Sequence, residues 1–323
     1  MAVYTHLGAE QLGALIGKFD VGMLRSAKGI AEGVSNSNWL VETEGRNGDG
    51  ARFILTVYEE RTEVRDLPFF LGLMDHLSEH GCPVPATIHD REGNLWREIE
   101  GKAAALIEFL PGVSVSHPTA PQAHAVGEAL ARVHLASADF ALERANGMGP
   151  AAWQDLLGRC GHDGLMAIDP TLAVLVEREL AATVAAWPRD LPRSVIHADL
   201  FPDNVLMLGD EVSGLIDFYF ACTDLSVFDV AVTHAAWCFD ATGACFDPAV
   251  SAALLAGYES VRPLSAAERG ALPLLARGAA LRFLATRAYD WLNTPNGALV
   301  TRKDPMAFAR RLEFYCANDA LFA

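Results

Sequence analysis

The stretch Val195-Ile196-His197-Ala198-Asp199-Leu200-Phe201-Pro202-Asp203-Asn204-Val205-Leu206, followed by Leu215-Ile216-Asp217-Phe218, decides the fold. Its polar residues are spaced His-x-Asp-x-x-x-x-Asn between apolar runs, and a further Asp sits at the end of the second run. The apolar runs 205–208 and 214–218 predict two short strands in a hairpin, which brings the preceding loop and Asp217 to the same end. Phosphoryl transfer needs such a grouping. One carboxylate must orient an attacking hydroxyl, while an amide oxygen and a second carboxylate hold the magnesium that bridges the phosphates.

Upstream of this segment the pattern divides in two. Residues 1–110 read as strands with one helix, and residues 111–323 as mainly helical. Strands are expected at 24–31, 38–43 and 52–58, the second and third separated by the Gly45-Arg46-Asn47-Gly48-Asp49-Gly50 turn signal. A helix over 67–80 carries Leu67, Phe70, Leu71, Met74 and Leu77 at helical spacing and ends at Gly81, before Pro83 and Pro85. Two more strands flank the Asp90-Arg91-Glu92-Gly93-Asn94 turn, the second at 103–110, and Pro111-Gly112 reads as a hinge. Beyond it, helices are expected at 120–136, 170–187, 225–239, 272–292 and 305–317. The fold class is therefore α+β and two-lobed: a small antiparallel β-rich lobe, 1–110, and a larger helical lobe, 111–323. A hinge between lobes makes a cleft, where ligands tend to bind.

Composition narrows the partners. The chain is 51% hydrophobic and 20% charged, as globular domains are. Lys and Arg number 25 against 41 Asp and Glu, a formal charge of −16, which argues against nucleic acid or an anionic membrane as partner. Any polyanionic ligand must then be met by metal ions and a few local cations. None of the six cysteines forms a Cys-x-x-Cys pair, so free thiols in a reducing cytoplasm are expected. No signal peptide is visible at 1–18, and no apolar stretch is long enough to span a bilayer.

The His-x-Asp-x-x-x-x-Asn…Asp set resembles the phosphotransferases of the aminoglycoside and choline kinase type, which share the two-lobed protein-kinase-like fold. The resemblance implies ATP and Mg2+ as cofactors. It makes Asp199 the residue acting on the acceptor hydroxyl, Asn204 and Asp217 the magnesium ligands, and His197 a support of the loop. Leu130-Ala131-Arg132-Val133-His134 resembles that family's helix before the catalytic loop, and Asp229 matches its loop-buttressing Asp.

In the first lobe, Gly33, Ser35, Asn36 and Asn38 lie where kinases place a phosphate-covering loop. Glu108-Phe109-Leu110 would offer backbone groups of Glu108 and Leu110 to the adenine edge. Kinases carry a Lys on the third strand, partnered by a helix Glu. Here Thr56 stands in that place, with Glu63 as a candidate acid. A catalytically inactive relative and a branch with another phosphate-gripping group both fit that departure. The intact base and metal positions favour the second.

A narrower similarity spans nearly the whole chain. Residues 53–59, 66–74, 282–295, 303–305 and 310–315 resemble the bacterial homoserine kinases of this superfamily, whose third strand also carries Thr. That resemblance implies transfer of the ATP γ-phosphate to the hydroxyl of L-homoserine, in threonine biosynthesis. Arg282 and Arg287, Arg282 foremost, are then expected to meet the acceptor carboxylate, and Asp224 its ammonium. A kinase of another small alcohol (choline, a sugar or an aminoglycoside) and a non-catalytic nucleotide-binding module remain alternatives.

Overall fold

The structure is a computed structural model that describes residues 5–30, 36–45, 50–59, 63–294 and 302–322. Contacts between Cα atoms divide it into two compact units, Met1–Gly112 and Val113–Ala323.

The first unit begins with α1 (Ala9–Ile16) and continues through β1 (Met23–Ile30), β2 (Ser37–Glu44), β3 (Gly50–Val57), α2 (Leu67–Glu79), β4 (Thr87–Ile88), β5 (Arg97–Ile99) and β6 (Lys102–Glu108). The strands form one antiparallel sheet in the order β1-β2-β3-β6-β4, with β5 also paired to β6. Alternation drives the arrangement: Val41 and Thr43 of β2 are buried while Glu42 and Glu44 are exposed. Val41, Leu55, Val57, Ala104 and Leu106 pack with Leu12, Leu15 and Ile16 of α1. The strand that follows the 90–94 turn is Arg97–Ile99, not 103–110. A second reversal at Glu100 (φ 50°) and Gly101 (φ 72°) separates it from β6.

The second unit holds α3 (Ala120–Ala136), α4 (Pro150–Ile168), α5 (Leu172–Ala185), β7 (Arg193–Ile196), β8 (Val205–Leu208), β9 (Glu211–Leu215), β10 (Cys222–Leu225), α6 (Ser226–Trp237), α7 (Pro248–Val261), α8 (Ala266–Asn293) and α9 (Met306–Ala317). β8 and β9 form the expected hairpin, and β7 pairs antiparallel with β10. Every residue of α6 is buried, so its polar members, Asp229 and His234 among them, must find partners inside the protein. For His234 these are the Tyr315 hydroxyl at 2.7 Å and Ser251 Oγ at 2.8 Å.

Helices α1, α4 and α7 match none of the expected ranges, and α8 begins earlier than expected. The signal of α4 is diluted by Gly158, Gly161 and Gly164, and Gly161 adopts φ 67° at a kink. The expected start of α8 at 272 falls late because Pro273 sits inside the helix. The true start is set by a reciprocal capping box in which Ser265 Oγ accepts from the Glu268 N–H and Glu268 Oε2 accepts from the Ser265 N–H. No helix among the described residues is long and apolar enough to cross a membrane.

α3 and α7 approach at backbone distance because glycines face each other's chain. A Cβ on Gly127 would lie 2.2 Å from the Leu254 carbonyl oxygen, and one on Gly257 would lie 2.0 Å from that of His124. Both obstacles are backbone and cannot rotate away. Gly257→Ala should therefore destabilise the protein by about 3 kcal/mol through overpacking. The urea midpoint of the full chain checks this, and a shift below about 1 kcal/mol would contradict the close approach.

Candidate active site

The loop between β7 and β8 is held from below by one carboxylate. Asp229 Oδ2 accepts the His197 N–H at 2.7 Å and Oδ1 accepts the Ala198 N–H at 2.8 Å. His134 Nε2 lies 3.1 Å from Oδ2, and its Nδ1 lies 2.8 Å from the Tyr258 hydroxyl. Arg262 donates to that hydroxyl at 3.1 Å and pairs with Glu268 at 2.7 Å. Burial alone would raise the Asp229 pKa. The hydrogen bond and charge of His134, with the charge of His197 and the Ala198 N–H, hold it below the ordinary carboxylate value. Asp229 is thus an ionised acceptor for three donors.

This anchoring matters because the loop is strained. Ala198 has φ 63°, a left-handed conformation that costs an L-residue about 1–2 kcal/mol. Its N–H is fixed by Asp229, and its carbonyl oxygen accepts from Arg282. Asp217, beyond the end of β9, is also left-handed at φ 65°. Its strand is tied to the loop twice: the Ile216 N–H donates to the Asn204 carbonyl at 3.0 Å, and His197 Nε2 donates to the Ile216 carbonyl at 2.9 Å. His197 Nδ1 accepts the Asp199 N–H at 3.3 Å. With both ring nitrogens occupied by backbone, His197 joins the two halves of the site. Burial, first among the causes, lowers its pKa.

Asn204 Nδ2 donates to the Asp199 carbonyl at 2.8 Å and reaches the Asp199 carboxylate at 3.4 Å. With Nδ2 turned to Asp199, Oδ1 is the amide atom that a cation could use. Burial pushes the Asp199 carboxyl up to about 7, with Asp217 adding to the rise and Arg282 and Lys303 opposing it. Burial likewise pushes Asp217 up to about 6, reinforced by Asp203 and opposed by Lys303. Carboxylates held back from ionisation by the protein packed around them, Asp199 half-buried and Asp217 open to solvent, form with the amide oxygen an all-oxygen donor set that a hard divalent cation would relieve. The residues present fit magnesium.

The residues expected at the acceptor divide. Arg282 is 2% exposed, bonded to the Ala198 carbonyl, and stacked 4.5 Å from the Phe283 ring centroid. It serves the loop, so its guanidinium is not displayed for an acceptor. Asp224 is buried: its carboxylate accepts from Asn146 Nδ2 at 2.7 Å and from the Leu225 N–H at 2.8 Å, and Arg193 lies 3.8 Å away. Arg287 is half-buried over Phe308 at 4.5 Å, donates to the Asp304 carbonyl at 3.1 Å, and is influenced by the charges of Asp199 and Asp203. Burial lowers its pKa to about 10. Lys303, a residue to which no sequence motif assigns a role, stands 3.9 Å from the Asp203 carboxylate and 5.7 Å from the Phe201 ring centroid. Its sequence signal is its rarity, since it is the sole lysine in 113–323.

In the first unit, the Thr56 hydroxyl donates to Asn38 Oδ1 at 2.8 Å, and the Glu59 N–H donates to Asn36 Oδ1 at 3.2 Å. Gly33 and Ser35 lie outside the described residues. Glu108 ends β6, with its N–H bonded to the Ala86 carbonyl at 2.9 Å, and Leu110 follows half-buried. Glu63 is exposed and pairs with Arg65 at 2.6 Å.

Residues 26–264 match the model of the phosphotransferase enzyme family, and the chain belongs to that family. It is 52% identical over 319 residues to the homoserine kinase of Gluconacetobacter diazotrophicus, covering 98% of this chain and 97% of that one. Identity to the homoserine kinase of Brucella anthropi is 51% over 317 residues, covering 98% and 94%. Spectinomycin phosphotransferase, solved with ADP and spectinomycin, superposes with a TM-score of 0.73 at 15% identity over 98% of this chain and 99% of that one. That likeness establishes the protein-kinase-like fold, as the sequence resemblance implied.

Asp229→Asn keeps the shape but replaces an anionic acceptor with an amide whose NH2 must face donors. It should destabilise the protein by about 3–5 kcal/mol, the usual penalty for breaking a buried charged network. Chemical denaturation tests this, and an unchanged midpoint would remove Asp229 from its supporting role.

Proposed function

We infer that this enzyme transfers the γ-phosphoryl group of ATP to the side-chain hydroxyl of L-homoserine, giving O-phospho-L-homoserine and ADP. The observation that carries the substrate is the 50–52% identity to curated homoserine kinases over nearly the full length of both chains. The chemistry rests on Asp199, Asn204 and Asp217, brought to one end of the β8–β9 hairpin by His197 and Asp229. The product places the enzyme in threonine biosynthesis, and six free thiols suit a reducing cytoplasm.

Asn204 and Asp217 would hold magnesium, which when bound neutralises charge on the phosphates. Asp199 accepts a hydrogen bond from the homoserine hydroxyl, orients the oxygen toward phosphorus, and takes its proton as the new P–O bond forms and ADP leaves. His197 and Arg282 hold the loop that carries Asp199. In the first unit, Asn36 and Asn38 with Gly33 and Ser35 are proposed for the phosphates, and the backbone at Glu108 and Leu110 for the adenine. Asp224 keeps its β7–β10 partners, which leaves the acceptor ammonium to another group.

Asp199→Asn should lose roughly two to four orders of magnitude in kcat with nucleotide affinity nearly intact. A coupled ADP assay with homoserine, choline and sugars checks both residue and substrate. Faster turnover of another alcohol than of homoserine would overturn the substrate. Of the two arginines, Arg287 is the proposed acceptor-carboxylate partner, since a guanidinium fork suits a carboxylate. Arg287→Ala should raise the homoserine KM more than about tenfold with the ATP KM unchanged. Arg282→Ala should instead lower kcat, and the opposite pattern would exchange the two assignments.

A further inference from the structure

A kinase site without a third-strand lysine still has to place positive charge on the group being transferred, because that group's equatorial oxygens carry the charge of the transition state. At the third-strand position stands Thr56, 3% exposed and hydrogen-bonded to Asn38. Arg282 is bound to the Ala198 carbonyl and buried against Phe283. Arg287 is held on the Asp304 carbonyl and over Phe308.

Lys303 differs from both arginines. Its side chain is 63% exposed, and its ammonium reaches the loop that runs from Asp199 to Asn204: Nζ is 3.9 Å from the Asp203 carboxylate, beyond hydrogen-bond length, and near the Phe201 ring. An ammonium on a four-carbon stem can leave so long a pairing for a better anion at little cost. We propose that Lys303 is the cation that meets the transferred phosphoryl group, in place of the third-strand lysine.

Its reach supports that choice over the acceptor carboxylate. Nζ stands over the segment that carries both Asp199, the proton acceptor, and Asn204, on the metal side. Arg287 is instead held in place by the Asp304 carbonyl and the Phe308 ring, as the partner of a ligand of fixed position needs. The division also suits the chemistry, since a planar fork matches a carboxylate and a point charge can follow a moving phosphoryl group. The inference rests on the phosphoryl-transfer reading but not on which alcohol accepts the group.

The test is therefore nucleotide binding without acceptor. The full-length enzyme, Lys303→Met and Lys303→Arg are titrated in magnesium with ADP and with the non-hydrolysable imido analogue of ATP. Lys303→Met should weaken the imido analogue about tenfold or more while leaving ADP within about twofold, the expected loss for one charge-assisted contact. Lys303→Arg should recover part of that loss. Equal weakening of both nucleotides, or of neither, would overturn the proposal. So would a raised homoserine KM with unchanged nucleotide binding, which would move Lys303 to the acceptor. Failure of the homoserine reading would show in the substrate panel and leave these titrations unaffected.

Discussion

Asp229 sits in the first turn of a helix with no exposed residue, and its carboxylate takes two consecutive backbone N–H groups and a histidine ring. A buried N–H without a partner is costly, and a buried carboxylate without donors costs more. Each therefore fixes the other. The catalytic loop can take its left-handed turn at Ala198 because the N–H on one side of that residue is held by Asp229 and the carbonyl on the other by Arg282. From there His197 carries the constraint to Ile216, and so to the backbone that places Asp217. The site is assembled on the core helix and the strand ends, with its strain offset by bonds that exist only in the folded protein.

The parts of this arrangement that were legible in sequence are those whose signals are local. The loop, the hairpin and the helix over 120–136 were readable because spacing and apolar runs specify them within a dozen residues. Where glycine dilutes the apolar period, as in the helix over 150–168, the pattern disappears although tertiary packing still imposes the helix. The long helix starts at Ala266 rather than at 272, because the Ser265…Glu268 capping box sets its N-terminus ahead of Pro273, which the helix accommodates. Arg282 and Arg287 show a deeper limit. Five residues apart on one helix, they point about 140° away from each other. Which one faces the loop depends on how that helix is rotated against Phe201 and Phe308, a long-range fact with no local signature.

The electrostatics follow from the same constraint. A chain of formal charge −16 that handles phosphates cannot rely on a general positive field. It gathers carboxylates instead, and burial pushes Asp199 and Asp217 up to about 7 and about 6. Such a cluster is uncomfortable on its own, and its discomfort defines what may enter: a hard cation for the oxygen donors, and fixed cations at the rim. The cations differ in freedom in a way that matches their expected work. Arg282, buried and bonded to backbone, is structural. Arg287 is half-buried and oriented by Phe308 and Asp304, which suits a ligand whose position must be fixed. Lys303, mostly exposed and loosely paired to Asp203, keeps the mobility needed by a group that accompanies a phosphoryl transfer from one oxygen to another.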